Sequence, residues 1–177
     1  MKITKRIKFT PHHCVGCGTC RLACAVGHSQ SGDLVACLEE TPAAEARLRF
    51  APPSDAEPEL VLLHCRHCED APCVATCKPE AMTHCEETGL VVVDRDACIG
   101  CKLCIKKCPY NAVWMVRNGE KAVVKCDLCV ARLQEGEGPA CASSCPTNAL
   151  VFEEPETESE SSGSDAASND VSKEDSQ

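Results

Sequence analysis

Short apolar segments separated by polar turns run along most of this chain. Residues 1–10 mix basic and apolar side chains and predict an edge strand, and the alternation over residues 46–50 predicts another strand. Residues 60–63, 89–93 and 149–152 are brief apolar runs that predict three further strands. The pattern therefore indicates small elements joined by long loops.

A hairpin is predicted where two apolar runs, residues 112–116 and 121–124, flank Asn118-Gly119. Asn-Gly between two such runs is a strong signal for a two-residue turn, because both residues tolerate positive φ. With the strands above, this hairpin brings the number of predicted strands to seven.

The apolar pattern stops after residue 153. Residues 154–177 consist mainly of Glu, Ser, Asp and Ala and contain almost nothing apolar. Such a segment cannot bury enough surface to offset its ordering entropy. We therefore predict a globular part over residues 1–153 and a disordered acidic tail over 154–177.

Composition changes the picture of the core. The chain has 18 cysteines among 177 residues but only one Trp, one Tyr and three Phe. With so few large side chains, bound metal would have to take the place of much of the hydrophobic core. The free energy of metal binding would then become folding free energy. We expect the apo-protein to be largely unfolded. No signal peptide is visible, so dense cysteine indicates metal binding in a reducing cytoplasm rather than disulfides.

One cysteine run is especially informative. Residues 98–109 have the spacing C-x2-C-x2-C-x3-C-P, which is typical of bacterial ferredoxins that hold [4Fe–4S] clusters. Three of its thiolates curl round one cubane, while the fourth points away and binds the other cluster of a pair. Gly100 lets the loop turn without a Cβ, and Pro109 ends the segment that carries Cys108. The run therefore implies a partner run elsewhere.

Sixteen of the cysteines form four runs of four, numbered one to four along the chain. Run one has the same cysteine spacing without the final proline, while the middle gap is four residues in run two and eleven in run four. Their members are Cys14, Cys17, Cys20 and Cys24; Cys65, Cys68, Cys73 and Cys77; Cys98, Cys101, Cys104 and Cys108; and Cys126, Cys129, Cys141 and Cys145. Four complete sets of thiolates predict four [4Fe–4S] clusters. Zinc and disulfides are the alternatives, but zinc ribbons use two separated C-x2-C pairs instead.

An internal repeat links three of the runs. Residues 108–113 match residues 145–150, and residues 77–82 are a weaker third copy, so a fourth cysteine, a turn and an apolar strand recur as one unit. Repetition of this kind indicates a duplicated module. Two ferredoxin-like pairs, each with two clusters, are the natural assembly.

Several other side chains are candidates for a role beside the thiolates. His64 and His67 flank two cysteines and are expected to pack near a cluster and tune its potential through hydrogen bonds. The remaining histidines, possible ligands or proton carriers, are His12, His13, His28 and His84. Four lysines lie among the cysteines, and two interpretations of them are open. They are solvated surface charges, or they are cations that raise the reduction potential of a nearby cluster or dock an acidic partner. These lysines are Lys102, Lys106, Lys107 and Lys125. Cys37 and Cys85 are expected to be free thiols, with a ligand role in some state as the alternative.

Charge and missing motifs exclude several functions. The formal charge is −9, and residues 153–177 hold nine acids and one lysine. Each oxidised cubane adds roughly −2. Because the chain is so acidic, binding to nucleic acid or to an anionic membrane is not favoured. No apolar run approaches the roughly 20 residues needed to span a bilayer. G-x-S-x-G, a phosphate-binding loop and GxGxxG are all missing, and every predicted cluster has four ligands. A non-catalytic protein is expected.

Residues 65–73, 125–129 and 139–147 carry a resemblance to a known family. The sequence resembles the four-cluster iron–sulfur electron-transfer subunits of the DMSO reductase type, and among them the small ferredoxin-like subunits of formate hydrogenlyase and carbon monoxide dehydrogenase. The match spans about residues 10–153. Membrane-bound relatives carry a transmembrane helix after this region, where this chain has its acidic tail.

The resemblance implies how the thiolates are shared, and we call the implied ligand sets sites A to D. Site A is Cys14, Cys17, Cys20 and Cys145; site B is Cys126, Cys129, Cys141 and Cys24; site C is Cys65, Cys68, Cys73 and Cys108; and site D is Cys98, Cys101, Cys104 and Cys77. The fold that the resemblance implies is α+β, with two ferredoxin-like two-cluster modules. An inner module, residues 60–120, would be inserted in an outer module made of residues 10–30 and 121–153.

The resemblance also implies a function. Such a chain relays single electrons through four [4Fe–4S] clusters between a catalytic subunit and a second redox protein. The catalytic partner would be a molybdenum or tungsten enzyme acting on formate or aldehyde, a hydrogenase, or carbon monoxide dehydrogenase. The alternative is a free, diffusing polyferredoxin with no fixed complex.

Overall fold

A computed structural model of the protein describes residues 5–41, 43–55, 58–117 and 121–154. The strands are β1 (Arg6–Phe9), β2 (Arg49–Ala51), β3 (Val61–Leu63), β4 (Met82–His84), β5 (Val91–Val93), β6 (Trp114–Met115), β7 (Val123–Val124) and β8 (Leu150–Glu153). The helices are α1 (Thr19–Val26), α2 (Pro72–Ala75), α3 (Leu103–Lys107), α4 (Val130–Gln134) and α5 (Ala140–Ser143). Short helices and strands are thus mixed along the chain, consistent with a ferredoxin-like iron–sulfur domain.

The strands form four separate antiparallel pairs. β1 pairs with β8, β2 with β3, β4 with β5, and β6 with β7. The first pair joins the two ends of the globular part and places buried Ile7 opposite Phe152. A two-stranded pair is at best marginally stable alone, so each pair depends on what its inner face packs against.

Most of the predicted strands are confirmed. The apolar runs at residues 60–63, 89–93 and 149–152 become β3, β5 and β8, and the lead segment contains β1. The strand predicted over residues 46–50 begins later, at Arg49, because Arg49–Ala51 is the stretch that pairs with β3. β6 and β7 pair as predicted, while the Asn118-Gly119 turn lies outside the described residues.

Four of the five helices given above contain cysteines. α1 carries Cys20 and Cys24, while α2, α3 and α5 carry Cys73, Cys104 and Cys141 in turn. α1 packs against α5, and α2 packs against α3. The helices therefore bring the cysteines of runs one and four together, and likewise those of runs two and three.

The buried side chains form two clusters, and both contain thiols. One cluster includes Ile7, Leu48, Leu128 and Leu150 with several cysteines of runs one and four. The other includes Met82, Val91 and Val113 with Cys73 and Cys104. The apolar side chains thus surround the cysteines instead of forming a core apart from them.

The acidic tail predicted over 154–177 lies outside the described residues except for Glu154. That residue pairs with Lys5 at 2.8 Å, next to the β1–β8 pair. Within the described part of the chain, no helix has the length and apolar character needed to cross a bilayer.

Candidate metal centres

The four C-x2-C loops share one backbone feature. The residue just before the second cysteine of each run has positive φ: 68° at Gly16, 47° at His67, 68° at Gly100 and 58° at Leu128. This left-handed conformation costs roughly 1–2 kcal/mol for a residue with a Cβ. Two of the runs have glycine at this position, which avoids the strain, whereas the other two have His67 and Leu128 and are strained there. Backbone strain of this kind is concentrated at functional sites.

Left-handed residues also mark the internal repeat. The third residue after the fourth cysteine has a φ of 55° at Glu80, 49° at Asn111 and 52° at Asn148. All three copies of the repeat therefore turn in the same way after the cysteine. The fourth cysteine of run one behaves differently, since Cys24 lies inside α1 and Gly27 follows with ordinary helical geometry.

The thiols predicted to form site A lie together. Cys14, Cys17, Cys20 and Cys145 line a single cavity of about 240 Å³ between the first loop and the turn before β8. Burial raises the pKa of Cys20, and the neighbouring thiols of Cys145, Cys17 and Cys14 raise it further. A thiol of run four thus stands beside three thiols of run one.

The thiols predicted to form site B are the most enclosed, because all four are buried. Burial, together with the neighbouring thiols Cys24, Cys129 and Cys20, raises the pKa of Cys141 to about 12. Burial also raises the pKa of Cys126 well above its ordinary value, with Cys141 and Cys24 among its neighbours. Cys20 belongs to site A, so sites A and B are adjacent.

The thiols of site C are grouped in the same way. Burial raises the pKa values of Cys68 and Cys73, and in each case Cys65 and Cys108 are neighbouring thiols that raise it further. The fourth cysteine of run three therefore lies with the first three of run two.

The thiols of site D line one cavity. Cys77, Cys98, Cys101 and Cys104 all contribute to its wall. Burial raises the pKa of Cys104 to about 11, and the thiols of Cys98, Cys101 and Cys73 add to the rise. Because Cys73 belongs to site C, sites C and D are adjacent.

Backbone donors face several of these sulfurs. The amide of Arg47 donates to Cys24 Sγ at 3.1 Å, and those of His67, Leu128 and Ala112 donate to Cys65, Cys126 and Cys108 at 3.4 Å. Amides that point at sulfur stabilise thiolates and are among the interactions that set cluster potentials. All 18 cysteines are free thiols. Grouped thiols with amide donors fit iron–sulfur clusters, whose binding would displace the thiol protons.

A charged network supports site B. Asp127 pairs with Arg47 and, at 2.9 Å, with Nε2 of His28, while Nδ1 of His28 donates to the carbonyl oxygen of Cys24 at 2.7 Å. Burial lowers the pKa of His28, but its bonds to Asp127, Cys129 and Cys24 outweigh this and raise it to about 12. For Asp127 the signs are reversed. Burial raises the pKa of its carboxyl group, but His28 and Arg47 outweigh this and hold the pKa well below its ordinary value. Two cations thus flank one carboxylate beside the site B thiols.

The two histidines of run two are buried, but they differ in their hydrogen bonds. His64 Nε2 donates to the carbonyl oxygen of Ile7 at 3.1 Å, so its Nε2 proton is used by the backbone. His67 Nδ1 accepts from the amide of Val91 at 3.1 Å, which leaves the proton on Nε2. Among the described residues, that buried N–H has no hydrogen-bond partner. His67 therefore keeps an unused donor, whereas the Nε2 proton of His64 is taken by the backbone. That either histidine tunes a cluster stays a prediction.

The remaining candidates fall outside the four sites. His12, His13 and His84 are exposed. Cys37 is buried and donates to the carbonyl oxygen of Leu34 at 3.2 Å. Cys85 is half-buried, and its bonds to Thr88 lower the pKa of its thiol. Neither thiol lies among the sets described above.

The Arg47–Asp127–His28 network was not predicted, although His28 was named above as a possible ligand or proton carrier. Its only local signal is that His28 follows Cys24 by four residues, the spacing that brings two side chains to one face of a helix. Nothing near Arg47 in the sequence points to a cluster.

Grouped thiols, amide donors and short surrounding elements define a cysteine-bound iron–sulfur protein. Residues 58–155 match a family described as the 4Fe-4S dicluster domain. The chain belongs to this family, which favours iron–sulfur clusters over the zinc and disulfide alternatives. The matched region contains runs two, three and four, and run one lies before it.

Curated relatives agree with the resemblance seen in the sequence. The chain is 38% identical to the putative electron transport protein YsaA of Escherichia coli, over 77% of this chain and 82% of that protein. It is 35% identical to PhsB, the thiosulfate reductase electron transfer subunit of Salmonella typhi, over 78% and 70% of the two chains. It is 47% identical to YnfG, a probable anaerobic dimethyl sulfoxide reductase chain of Escherichia coli, over 51% and 43%. The predicted family is confirmed, and these relatives support an electron-transfer role.

Proposed function

We propose that this chain is a non-catalytic subunit that relays single electrons through four [4Fe–4S] clusters, held at sites A to D, between a catalytic oxidoreductase and a second redox protein. When bound, each cluster supplies a one-electron carrier. The chain's own residues hold the thiolates, exclude water and set the surrounding charge. The observation that carries the proposal is that sites A and D, the two ends of this relay, each have an exposed thiol, whereas sites B and C have none.

The order of the sites supports a linear relay. Cys20 of site A neighbours Cys141 of site B, and Cys73 of site C neighbours Cys104 of site D. Between these pairs, Lys125 directly precedes Cys126 of site B and acts electrostatically on Cys73 of site C. These contacts favour the order A, B, C, D.

Exposure supports partner contact at the two ends. Of all the cysteines, only Cys17 and Cys101 are exposed, and they belong to sites A and D. Beside them, Val15 is 68% exposed and Ile99 is 63% exposed. Apolar residues at the tips of two ligand loops are suited to docking of redox partners, which brings a donor and an acceptor close to opposite ends of the relay.

The module bounds remain part of the proposal. The pairing of α1 with α5 supports an outer module made of residues 10–30 and 121–153, and the pairing of β1 with β8 places residues 6–9 just before it against the same module. The pairing of α2 with α3 and of β4 with β5 supports an inner module over residues 60–120. The β6–β7 pair joins the two modules at the proposed boundary.

The catalytic partner belongs to the classes that the resemblance implies. We propose a molybdenum or tungsten enzyme, a hydrogenase or carbon monoxide dehydrogenase, in a cytoplasmic complex. PhsB is by name the subunit of a reductase, which favours a fixed complex over the free polyferredoxin alternative.

Anaerobic co-purification distinguishes a fixed subunit from a diffusing carrier. Affinity capture of the tagged full chain from its native host should bring down a metal-containing oxidoreductase in a constant ratio that survives gel filtration. A matched variant, Ile99→Asp with Val15→Asp, should keep its iron and lose that partner, because charge at both loop tips opposes apolar docking. Capture of the chain alone, with full iron content, would favour the free carrier instead.

A further inference from the structure

Lys125 differs from the other lysines that lie near cysteines in the sequence. Lys102, Lys106 and Lys107 are exposed, whereas Lys125 is only 3% exposed. Lysine is almost never buried to this degree unless a partner compensates its charge. The structure therefore separates one buried cation from three solvated ones.

The ammonium of Lys125 has only backbone partners. Nζ donates to the carbonyl oxygen of Val91 and, at 2.9 Å, to that of Cys126. Among the described residues, no carboxylate pairs with it. Two carbonyls satisfy two of its three donors but leave its charge without an anion. An anion bound between these elements would supply the missing counter-charge.

The position of Lys125 shows which anions are available. It precedes Cys126 of site B, and its field also reaches Cys73 of site C and the imidazole of His67. Val91 joins the two sides, because its amide donates to His67 and its carbonyl accepts from Lys125. Lys125 thus lies at the junction between the outer and inner modules.

We propose that Lys125 is a potential-setting residue, the buried cation that raises the reduction potentials of the two clusters at sites B and C. This assignment rests on the proposed function, because it needs clusters at both sites. Reduction adds one negative charge to a cluster, so a nearby cation stabilises the reduced form. In a site with little water, this interaction is screened far less than at the surface.

The positive charge of Lys125 would favour electron transfer through the middle of the relay. Site B has four buried thiols, and burial disfavours the added electron and lowers the potential. The cations Arg47 and His28 near this site are partly neutralised by Asp127, whereas no carboxylate among the described residues neutralises Lys125. The middle of the relay would then oppose electron flow between its exposed ends. Lys125 offsets part of this effect where the two modules meet.

The test is an EPR-monitored redox titration of the anaerobically purified full chain and its variants. Lys125→Gln removes the charge but keeps a donor, and Lys125→Met removes both while keeping most of the side-chain length. Both should shift two of the cluster potentials to more negative values and leave the other two unchanged. Lys125→Arg, which keeps the charge, should restore potentials close to those of the unmodified chain.

Lys107→Gln is the matched control, because Lys107 also adjoins a predicted ligand, Cys108, but is exposed. It should leave all potentials close to their original values. The assignment is overturned if Lys125→Gln retains its clusters and shifts none of them, or if Lys107→Gln shifts them as much. If the unmodified chain itself holds fewer clusters, the proposed function fails first, and the iron content reveals this before any titration.

Discussion

Removal of the iron is expected to unfold this chain. The helices are four to eight residues long and the strands two to four. Isolated helices shorter than roughly 12–15 residues are marginal in water, and so are two-stranded sheets. Both clusters of buried apolar side chains are organised around thiols. Without iron, the elements lose the group that joins them, because metal binding free energy is folding free energy here.

Small-angle scattering and circular dichroism would measure this effect. The radius of gyration should rise from roughly 16 Å, for a compact chain of this length, towards roughly 45 Å. The secondary-structure signal should largely disappear, and iron with sulfide should restore both. Protein carried through the same buffers without chelator is the control. A chelated chain that kept its compact size would show that the apolar side chains suffice without clusters.

Loss of one thiolate should remove a cluster assigned to a different run. Cys108 belongs to run three but lies with Cys65 and Cys68, while Cys77 belongs to run two but lines a cavity with Cys101. Cys108→Ser should therefore lose the same EPR signal as Cys68→Ser. Cys77→Ser should lose the same signal as Cys101→Ser.

Each of these four variants should lose about four of about sixteen iron atoms, since one cubane contains four. Cys85→Ser is the matched control and should keep all of them, because Cys85 lies outside the grouped thiols. If Cys108→Ser instead matched Cys101→Ser, each run would bind its own cluster and the shared-ligand sites would be wrong.

The strands and the cysteine runs were predictable because their signals are local. A brief apolar run such as residues 60–63 indicates a strand whichever other strand it pairs with. In the structure this run contains β3. The spacing of residues 98–108 reflects how a short loop surrounds a cubane. The short helices were not predicted, since four or five residues are too few to display a helical period.

The supporting charges could not be predicted because their partners are distant in the sequence. Asp127 is 99 residues from His28 and 80 from Arg47. Lys125 has the same sequence surroundings as exposed Lys107, since each adjoins a cysteine, and only the packing of β5 against it distinguishes them. Likewise, the left-handed geometry of His67 and Leu128 follows from the loop they share with Gly16 and Gly100 and runs against their own preference.

The central claim is that four complete cubanes are bound, and chemical analysis tests it most directly. Iron and acid-labile sulfide should be measured on the anaerobically purified full chain against a protein concentration from amino-acid analysis. The account predicts about sixteen iron and about sixteen sulfide per chain. About eight of each would mean that one pair of sites is empty, and it would contradict a relay running from site A to site D.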